Sequence, residues 1–126
     1  MIRNWDDGVT LNNYIVVEFP SITDLERAHV NIFGGVVVLD FAFNVSQVIP
    51  YNDSNKTALF FSGFPKAKFR EQRFRIPHMN PGETILDLGI DYEGKIYNQW
   101  TAGDIAAGKY QGQAVYIADT SDTRYF

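Results

Sequence analysis

The 126-residue chain contains no cysteine, which excludes disulfides, thiolate metal sites and a cysteine nucleophile. Long apolar runs are also absent: VVVL, residues 36–39, lies in a wider apolar segment that is far too short to span a bilayer. The opening MIRNWDDG is polar and lacks the apolar core of a signal peptide. We therefore expect a soluble single domain over residues 1–126, without membrane insertion and stabilised by its own core or by oligomerisation.

Basic residues are in short supply. The chain has 11 Lys and Arg against 15 Asp and Glu, a net charge of −4, whereas nucleic-acid binders normally carry a basic excess or stripe. Basic and aromatic residues mix only in KAKFREQRFR, residues 66–75. There Arg73 and Arg75 share a face with Phe69 and Glu71, a pattern typical of neither a regular strand nor a helix. We interpret this segment as a solvated loop leading into a strand, and we expect no nucleic-acid partner.

Signatures of catalysis and metal binding are equally scarce. His29 and His78 are the only histidines, and neither has a second ligand at a recognisable metal spacing. Asp53 lies in YNDSN, which lacks the glycine and the distal glutamate of a calcium loop. Asp87 and Asp91 could be paired for glycoside hydrolysis, but their spacing fits the solvated face of a strand better. The sequence predicts no enzyme activity, no metal and no cofactor.

Aromatic residues and strand-forming segments are abundant. Ten Phe, seven Tyr and two Trp make up 15% of the chain, and rings suit a sandwich core, a subunit interface or a sugar-binding surface. Short apolar segments separated by turn residues, without βαβ alternation, predict an all-β fold: an antiparallel, jelly-roll-like sandwich or barrel. At most one short helix is expected, at residues 21–28, and residues 119–126 read as a polar tail. The predicted strands are 13–19, 29–33, 36–45, 57–64, 73–78, a hairpin over 84–100, and 113–118.

The segment ETILDLGIDYEGKIYNQW, residues 83–100, predicts a β-hairpin in which the turn decides where each side chain points. A two-residue turn at Glu93 and Gly94 would place Trp100 opposite Asp87 on the polar face. Such a turn needs φ > 0 at both residues, and glutamate disfavours that conformation. This register is therefore the less favoured of the two.

A three-residue turn over residues 92–94 needs φ > 0 only at its final glycine. It pairs Ile90 with Ile96, so that hydrophobic residues meet across the strands. Tyr97 then lies on the outer, polar face. Trp100 shares the apolar face in this register, unless regular pairing ends before it.

The order of these parts resembles a known family. A long strand VVVLDFAFNV precedes ALFFSGFPKAKF with its Gly-x-Pro stop, followed by the hairpin, a Gly-rich loop and AVYIA. Over about residues 30–118 this pattern is similar to the C-terminal head domain of receptor-binding proteins at the baseplate or tail-fibre tip of tailed bacteriophages, particularly phages of lactic-acid bacteria. The resemblance implies a homotrimeric β-sandwich head at the virion tail tip. Such a head would adjoin other tail or baseplate proteins and bind host cell-wall saccharide.

Some of these heads carry a His-x-Asp pair before the hairpin turn and a Trp after it, which together line the saccharide site. Asp91 and Trp100 match those positions, while Gly89 stands where the His would be. The match favours the two-residue turn, because only there do Asp91 and Trp100 share a face, so it conflicts with the turn chemistry. Sugars stack on rings and bind carboxylates and amides, and the candidate ligand-binding residues are Asp87, Asp91, Tyr97, Asn98 and Trp100.

Three functional classes stay open on this reading. The first is a trimeric adhesion head in which weak sugar contacts are multiplied by avidity. The second is a non-enzymatic β-sandwich interaction or structural module of a virion or secreted assembly. A small glycan-cleaving enzyme is the third and least favoured, since no recognisable acid–base set is present.

Overall fold

The computed structural model describes residues 8–126, and the polar opening segment, residues 1–7, lies outside the described part. Within that part the chain is all-β, as predicted, and it contains no helix that could span a membrane. The strands are β1 Val9–Thr10, β2 Val16–Val17, β3 Ile22–Phe33, β4 Val36–Val45, β5 Leu59–Ser62, β6 Gln72–Pro77, β7 Ile85–Ile90, β8 Ile96–Asn98 and β9 Gly108–Ile117.

These strands form two antiparallel sheets that pack as a sandwich and do not close into a barrel. The four-stranded sheet has the order β1-β3-β4-β9, and the five-stranded sheet has the order β2-β5-β8-β7-β6. Every strand pair within a sheet is antiparallel. The β6 strand lies at a sheet edge, as its terminal proline predicted, because proline cannot donate a ladder hydrogen bond.

The centre of the core is aromatic and joins the two sheets. Leu39, Phe41 and Phe43 of β4 are fully buried, which confirms the alternation predicted for this strand. Phe61 of the opposite sheet contacts both rings, with centroids 5.0 Å from Phe41 and 5.1 Å from Phe43. Edge-to-face pairs of this kind contribute about 0.5–1.5 kcal/mol each beyond the area they bury. Much of the aromatic content therefore holds the sandwich together.

Residues 21–28, the best helical candidate in the sequence, begin strand β3 instead. The β3–β4 ladder runs from Ile22 opposite Val45 to Phe33 opposite Val36. A two-turn helix in isolation is marginal, because too few hydrogen bonds offset the cost of nucleation. Pairing with β4 therefore overrides the weak local preference, and the helical interpretation was wrong.

The irregular part of β3 is stabilised by the side chain of Asn12. The β3 register shifts near Leu25, where a bulge leaves backbone groups without ladder partners. Asn12 Nδ2 donates to Leu25 O and Glu26 O at 3.1 and 3.0 Å, and its Oδ1 accepts from Ala28 N at 2.9 Å. Residues 12–14 form a turn, and the strand predicted over 13–19 is therefore reduced to Val16–Val17.

The three-residue hairpin turn is confirmed. Ile90 pairs with Ile96, and Gly89 pairs with Tyr97. Gly94 has φ 75, and a β-carbon there would collide with the carbonyl oxygen of Phe64. Glycine is thus required at this position both by conformation and by space.

Trp100 does not follow the apolar face of the hairpin. Regular pairing ends at Asn98, and Trp100 has φ 62, the one positive φ among the non-glycine residues of the described chain. Thr101 takes the buried position instead, where its Oγ1 accepts a hydrogen bond from Asp87 N at 3.0 Å. Trp100 is 50% exposed, so the inward orientation does not occur, because regular pairing ends before Trp100.

The C-terminal residues, expected to be a polar tail, are packed against the sandwich. Tyr125 is buried, and its hydroxyl donates to Gly63 O. Asp122 is buried as well, where its Oδ2 accepts from Lys66 N at 3.0 Å and from Arg124 Nη2 at 3.0 Å. Residues 119–126 are thus part of the folded unit.

Candidate functional site

The outer face of the five-stranded sheet carries the largest concentration of the predicted site residues. Strand alternation turns Phe74 and Leu88 into the core and places Arg73, Arg75 and Asp87 on the outer face. The register places Arg75 opposite Asp87, and it places Gly89 between Arg73 and Tyr97. We use the name polar sheet face for the outward-pointing group Arg73, Arg75, Asp87, Tyr97 and Gln99.

Two ion pairs lie on the β6 side of this face. Arg75 Nε lies 2.9 Å from Asp87 Oδ1, and Arg73 Nε lies 3.0 Å from Glu71 Oε1. Exposed pairs of this kind contribute only about 0–1 kcal/mol to stability. Between the two arginines is an open depression of about 280 Å³, lined by Arg73, Phe74, Arg75 and Asp87. The pairs therefore shape a concave surface more than they stabilise the fold.

The centre of the face is formed by Tyr97 and Gln99. Gln99 N donates to Asp87 O at 2.7 Å, which fixes its backbone beside β7. A β-carbon at Gly89 would lie 3.3 Å from Gln99 Oε1. The absence of a side chain at Gly89 therefore lets the Gln99 amide lie close to the sheet, on the face that carries the partly exposed Tyr97.

Burial is the largest effect on the pKa of Tyr97, and it raises that pKa above the ordinary value of 10.0. The negative charge of Asp91 raises the pKa further. The phenol is therefore uncharged at neutral pH and can both donate and accept a hydrogen bond. Together with the Gln99 amide and the Asp87 carboxylate, it presents donors and acceptors within one small surface.

Asp91 shapes the hairpin turn. Its Oδ1 accepts hydrogen bonds from Glu93 N at 2.8 Å and from Lys95 N at 3.1 Å. This is the local capping that aspartate commonly provides in turns. Asp91 lies near Tyr97 and influences its charge state, but one of its two oxygens is committed to the backbone.

The structure does not bring Trp100 together with Asp91. Asp91 is at the turn end of the hairpin, whereas Trp100 follows the opposite end of β8, about 15 Å away along an extended chain. Trp100 N donates to Lys56 O at 2.9 Å, and the Lys56 ammonium lies 4.3 Å from the indole centroid. Lys56 is also paired with Asp53 at 2.9 Å. Trp100 thus belongs to a second exposed surface beside residues 53–56.

Asn98 does not reach either surface, because it is only 3% exposed. Its Nδ2 donates to Asn55 O at 2.9 Å, and its Oδ1 accepts from Thr101 Oγ1 at 2.6 Å. The favoured register already placed Asn98 on the same face as Ile96, which is buried. Asn98 is therefore a buried residue that links β8 to the loop at Asn55 and to Thr101.

Arg73 and Arg75 are members of the face that the sequence interpretation did not include among the candidate site residues. The signal was present in QRFRIP, where polar and apolar residues alternate with the period of a strand. What the sequence did not reveal is that β6 pairs with β7, which places Arg75 beside Asp87. Within residues 8–126, no cluster of three or more His, Asp or Glu could hold a metal ion.

Comparison of the chain with models of protein families, with curated proteins and with solved structures found no match. The fold and the site define a class: an all-β sandwich with a preformed polar surface on the outside of one sheet. Any more particular function has to be argued from the chemistry of that surface.

Proposed function

We propose that the chain is a non-enzymatic saccharide-binding domain that serves as the host-adhesion head of a phage tail or baseplate protein. One observation carries this proposal: the strand register places the partly exposed Tyr97 opposite Gly89 and Gln99 beside Asp87, on the same sheet face as the Asp87–Arg75 ion pair. Sugars present apolar C–H faces that pack on rings, and hydroxyls that both donate and accept hydrogen bonds. The polar sheet face offers each of these partners.

The setting of these groups also supports binding. They project from paired strands, so their backbone positions are fixed before a ligand arrives. Sites on strands are more precise than sites on loops, and preorganisation lowers the entropy lost on binding. Trp100 is proposed as an additional ligand contact, because it is an exposed ring whose backbone N–H donates to Lys56 O and whose indole lies against the Lys56 ammonium.

A homotrimer and neighbouring tail or baseplate proteins are proposed as the partners, at the tip of the virion. Support comes from an apolar strip on the outside of the four-stranded sheet, where Phe33, Val36 and Ile117 are consecutive neighbours across the strands. Val115 lies on the same face and is strongly exposed. Exposed apolar patches commonly mark protein interaction sites. Several weak saccharide sites on one assembly would bind a cell surface with high avidity.

The proposal is tested by titrating the purified protein with host cell-wall polysaccharide and measuring affinity by isothermal calorimetry. Tyr97→Ala is expected to weaken binding roughly tenfold, because it removes the stacking surface. Tyr92→Ala is the matched control, since Tyr92 is an exposed turn tyrosine that lies outside the polar sheet face. Absence of binding by the unmodified protein would overturn the proposal, and so would release of cleaved sugar.

The apolar strip by itself favours a second candidate function, a structural or protein-interaction module of a virion or secreted assembly. Light scattering distinguishes the two when combined with the saccharide titration. An oligomer that binds no saccharide would support the second function. A chain that stays monomeric at high concentration would contradict the trimeric head.

A further inference from the structure

Arg73 and Arg75 hold their carboxylate partners through one nitrogen each. The contact of Arg73 with Glu71 and that of Arg75 with Asp87 both involve Nε. In the part of the chain that the structure describes, the terminal amino groups of both guanidiniums make no hydrogen bond or ring contact. Each arginine therefore presents unfilled N–H donors at the surface.

The two sets of donors face the same space. Arg73 and Arg75 are two residues apart on one strand, so their side chains leave the same face about 7 Å apart. The open depression of about 280 Å³ lies between them. A group that enters this depression can contact both guanidiniums at once.

We propose that this depression binds an acidic group of the saccharide, a carboxylate or a phosphate, through the terminal amino groups of Arg73 and Arg75. The inference rests on the proposed function, since it assumes that a saccharide occupies the polar sheet face. Planar guanidiniums form paired hydrogen bonds with both kinds of anion, and these bonds are roughly twice as strong as neutral ones. The acidic group would then lie beside the sugar ring that packs on Tyr97.

Recognition of the acid arises from these contacts and not from a long-range field. Glu71 and Asp87 balance the charges of the two arginines, and the whole chain carries a net charge of −4. A repulsive overall field does not draw anions towards a site. Selectivity for an acid therefore depends on the two guanidinium ends, and removal of both should abolish it.

The experiment uses pairs of probes in which one sugar carries an acidic group and its counterpart carries a neutral group at the same position. Galacturonic acid oligomers are compared with neutral galactose oligomers, and glucose 1-phosphate is compared with methyl glucoside, by NMR titration of the unmodified protein. At least one acidic probe is expected to bind roughly tenfold more tightly than its neutral counterpart. The pair in which the preference appears identifies the anion as carboxylate or phosphate.

The double variant Arg73→Gln/Arg75→Gln is expected to lose this preference, so that its affinity for the acidic probe falls to that for the neutral probe. Lys68→Gln/Arg70→Gln is the charge-matched control, because both residues are exposed but neither lines the depression. Equal affinity for acidic and neutral probes would overturn the inference and leave the proposed function standing. An acidic preference that survives in the double variant would also overturn it. Failure of every probe and of host wall polysaccharide to bind would instead overturn the proposed function.

Discussion

Gln72 and Ile117 exchange two hydrogen bonds between the edges of the two sheets. Gln72 Nε2 donates to Ile117 O at 2.7 Å, and Ile117 N donates to Gln72 Oε1 at 2.8 Å. A side-chain amide thus replaces the peptide group of a neighbouring strand. Isolated bridges at Ala67–Ala118 and His78–Tyr110 hold the same edge on either side. The pairing satisfies edge groups that could otherwise pair with another chain.

Gln72→Glu is expected to destabilise the fold by about 1–3 kcal/mol. The carboxylate cannot donate to Ile117 O, and it places a negative charge next to that carbonyl. The free energy of unfolding in urea measures the effect, with Gln111→Glu as control because Gln111 lies on the same strand as Ile117, opposite Ala42. Equal stability of the two variants would contradict a bridging role for Gln72.

Asp122 is expected to make the stability depend on acidic pH. Burial alone would raise the pKa of Asp122, but hydrogen bonds from Arg124 and from Lys66 N outweigh it and hold the pKa below the usual 3.8. A lowered pKa adds stability that is present above pH 3.8 and is lost as the pH falls through the folded-state value. Urea unfolding from pH 6 to pH 2 measures this loss. Asp122→Asn should be less stable at pH 6, and its free energy of unfolding should fall less between pH 6 and pH 2 than that of the unmodified protein. An equal fall in both proteins would contradict the assignment.

Tyr125 is expected to limit stability at alkaline pH. Burial raises the pKa of Tyr125 to about 12, above the ordinary value of 10.0. A raised pKa adds stability that is complete below pH 10 and is lost as the pH rises towards 12. Tyr125→Phe removes this titration, so its stability should fall less steeply over that window than that of the unmodified protein. Unfolding measured at pH 9, 10 and 11 tests the difference, and parallel curves would contradict it.

The predictable parts of the fold were those set by residues close in the sequence. The alternation of Leu39 and Phe41 identified β4 and its buried face, because strand geometry alone dictates that pattern. The turn at Gly94 was predictable for a similar reason, since only glycine adopts the required φ without strain. The same register then placed Asp87 and Tyr97 on the outer face.

The unpredictable parts depend on contacts between distant segments. Residues 21–28 became a strand because β4 was available to pair with them. Trp100 turned outwards because Thr101 reaches the interior and bonds to Asp87 N. Likewise, Arg75 joined the candidate site through the pairing of β6 with β7, which no local pattern encodes.

Gly89→Ala is expected to lower the affinity for saccharide without lowering the stability of the fold. The backbone of Gly89 has a negative φ that alanine tolerates, and glycine within a strand costs about 0.5–1 kcal/mol relative to alanine. Stability should therefore be retained. The new methyl group would lie 3.3 Å from Gln99 Oε1 and should push the Gln99 amide away from the sheet. Affinity for wall polysaccharide should fall roughly threefold to tenfold. Unchanged affinity in a stable variant would exclude Gln99 as a ligand contact.

Trp100→Gly and Trp100→Ala both remove the indole but differ in their tolerance of φ 62. Trp100→Gly is expected to be more stable than Trp100→Ala by about 1 kcal/mol, because alanine is strained in this conformation. Thermal unfolding measures the difference, and equal stability would show that residues 99–101 relax when the ring is removed. Saccharide affinity should fall equally in both variants if the ring contacts the ligand. A loss confined to Trp100→Ala would assign the effect to the backbone instead.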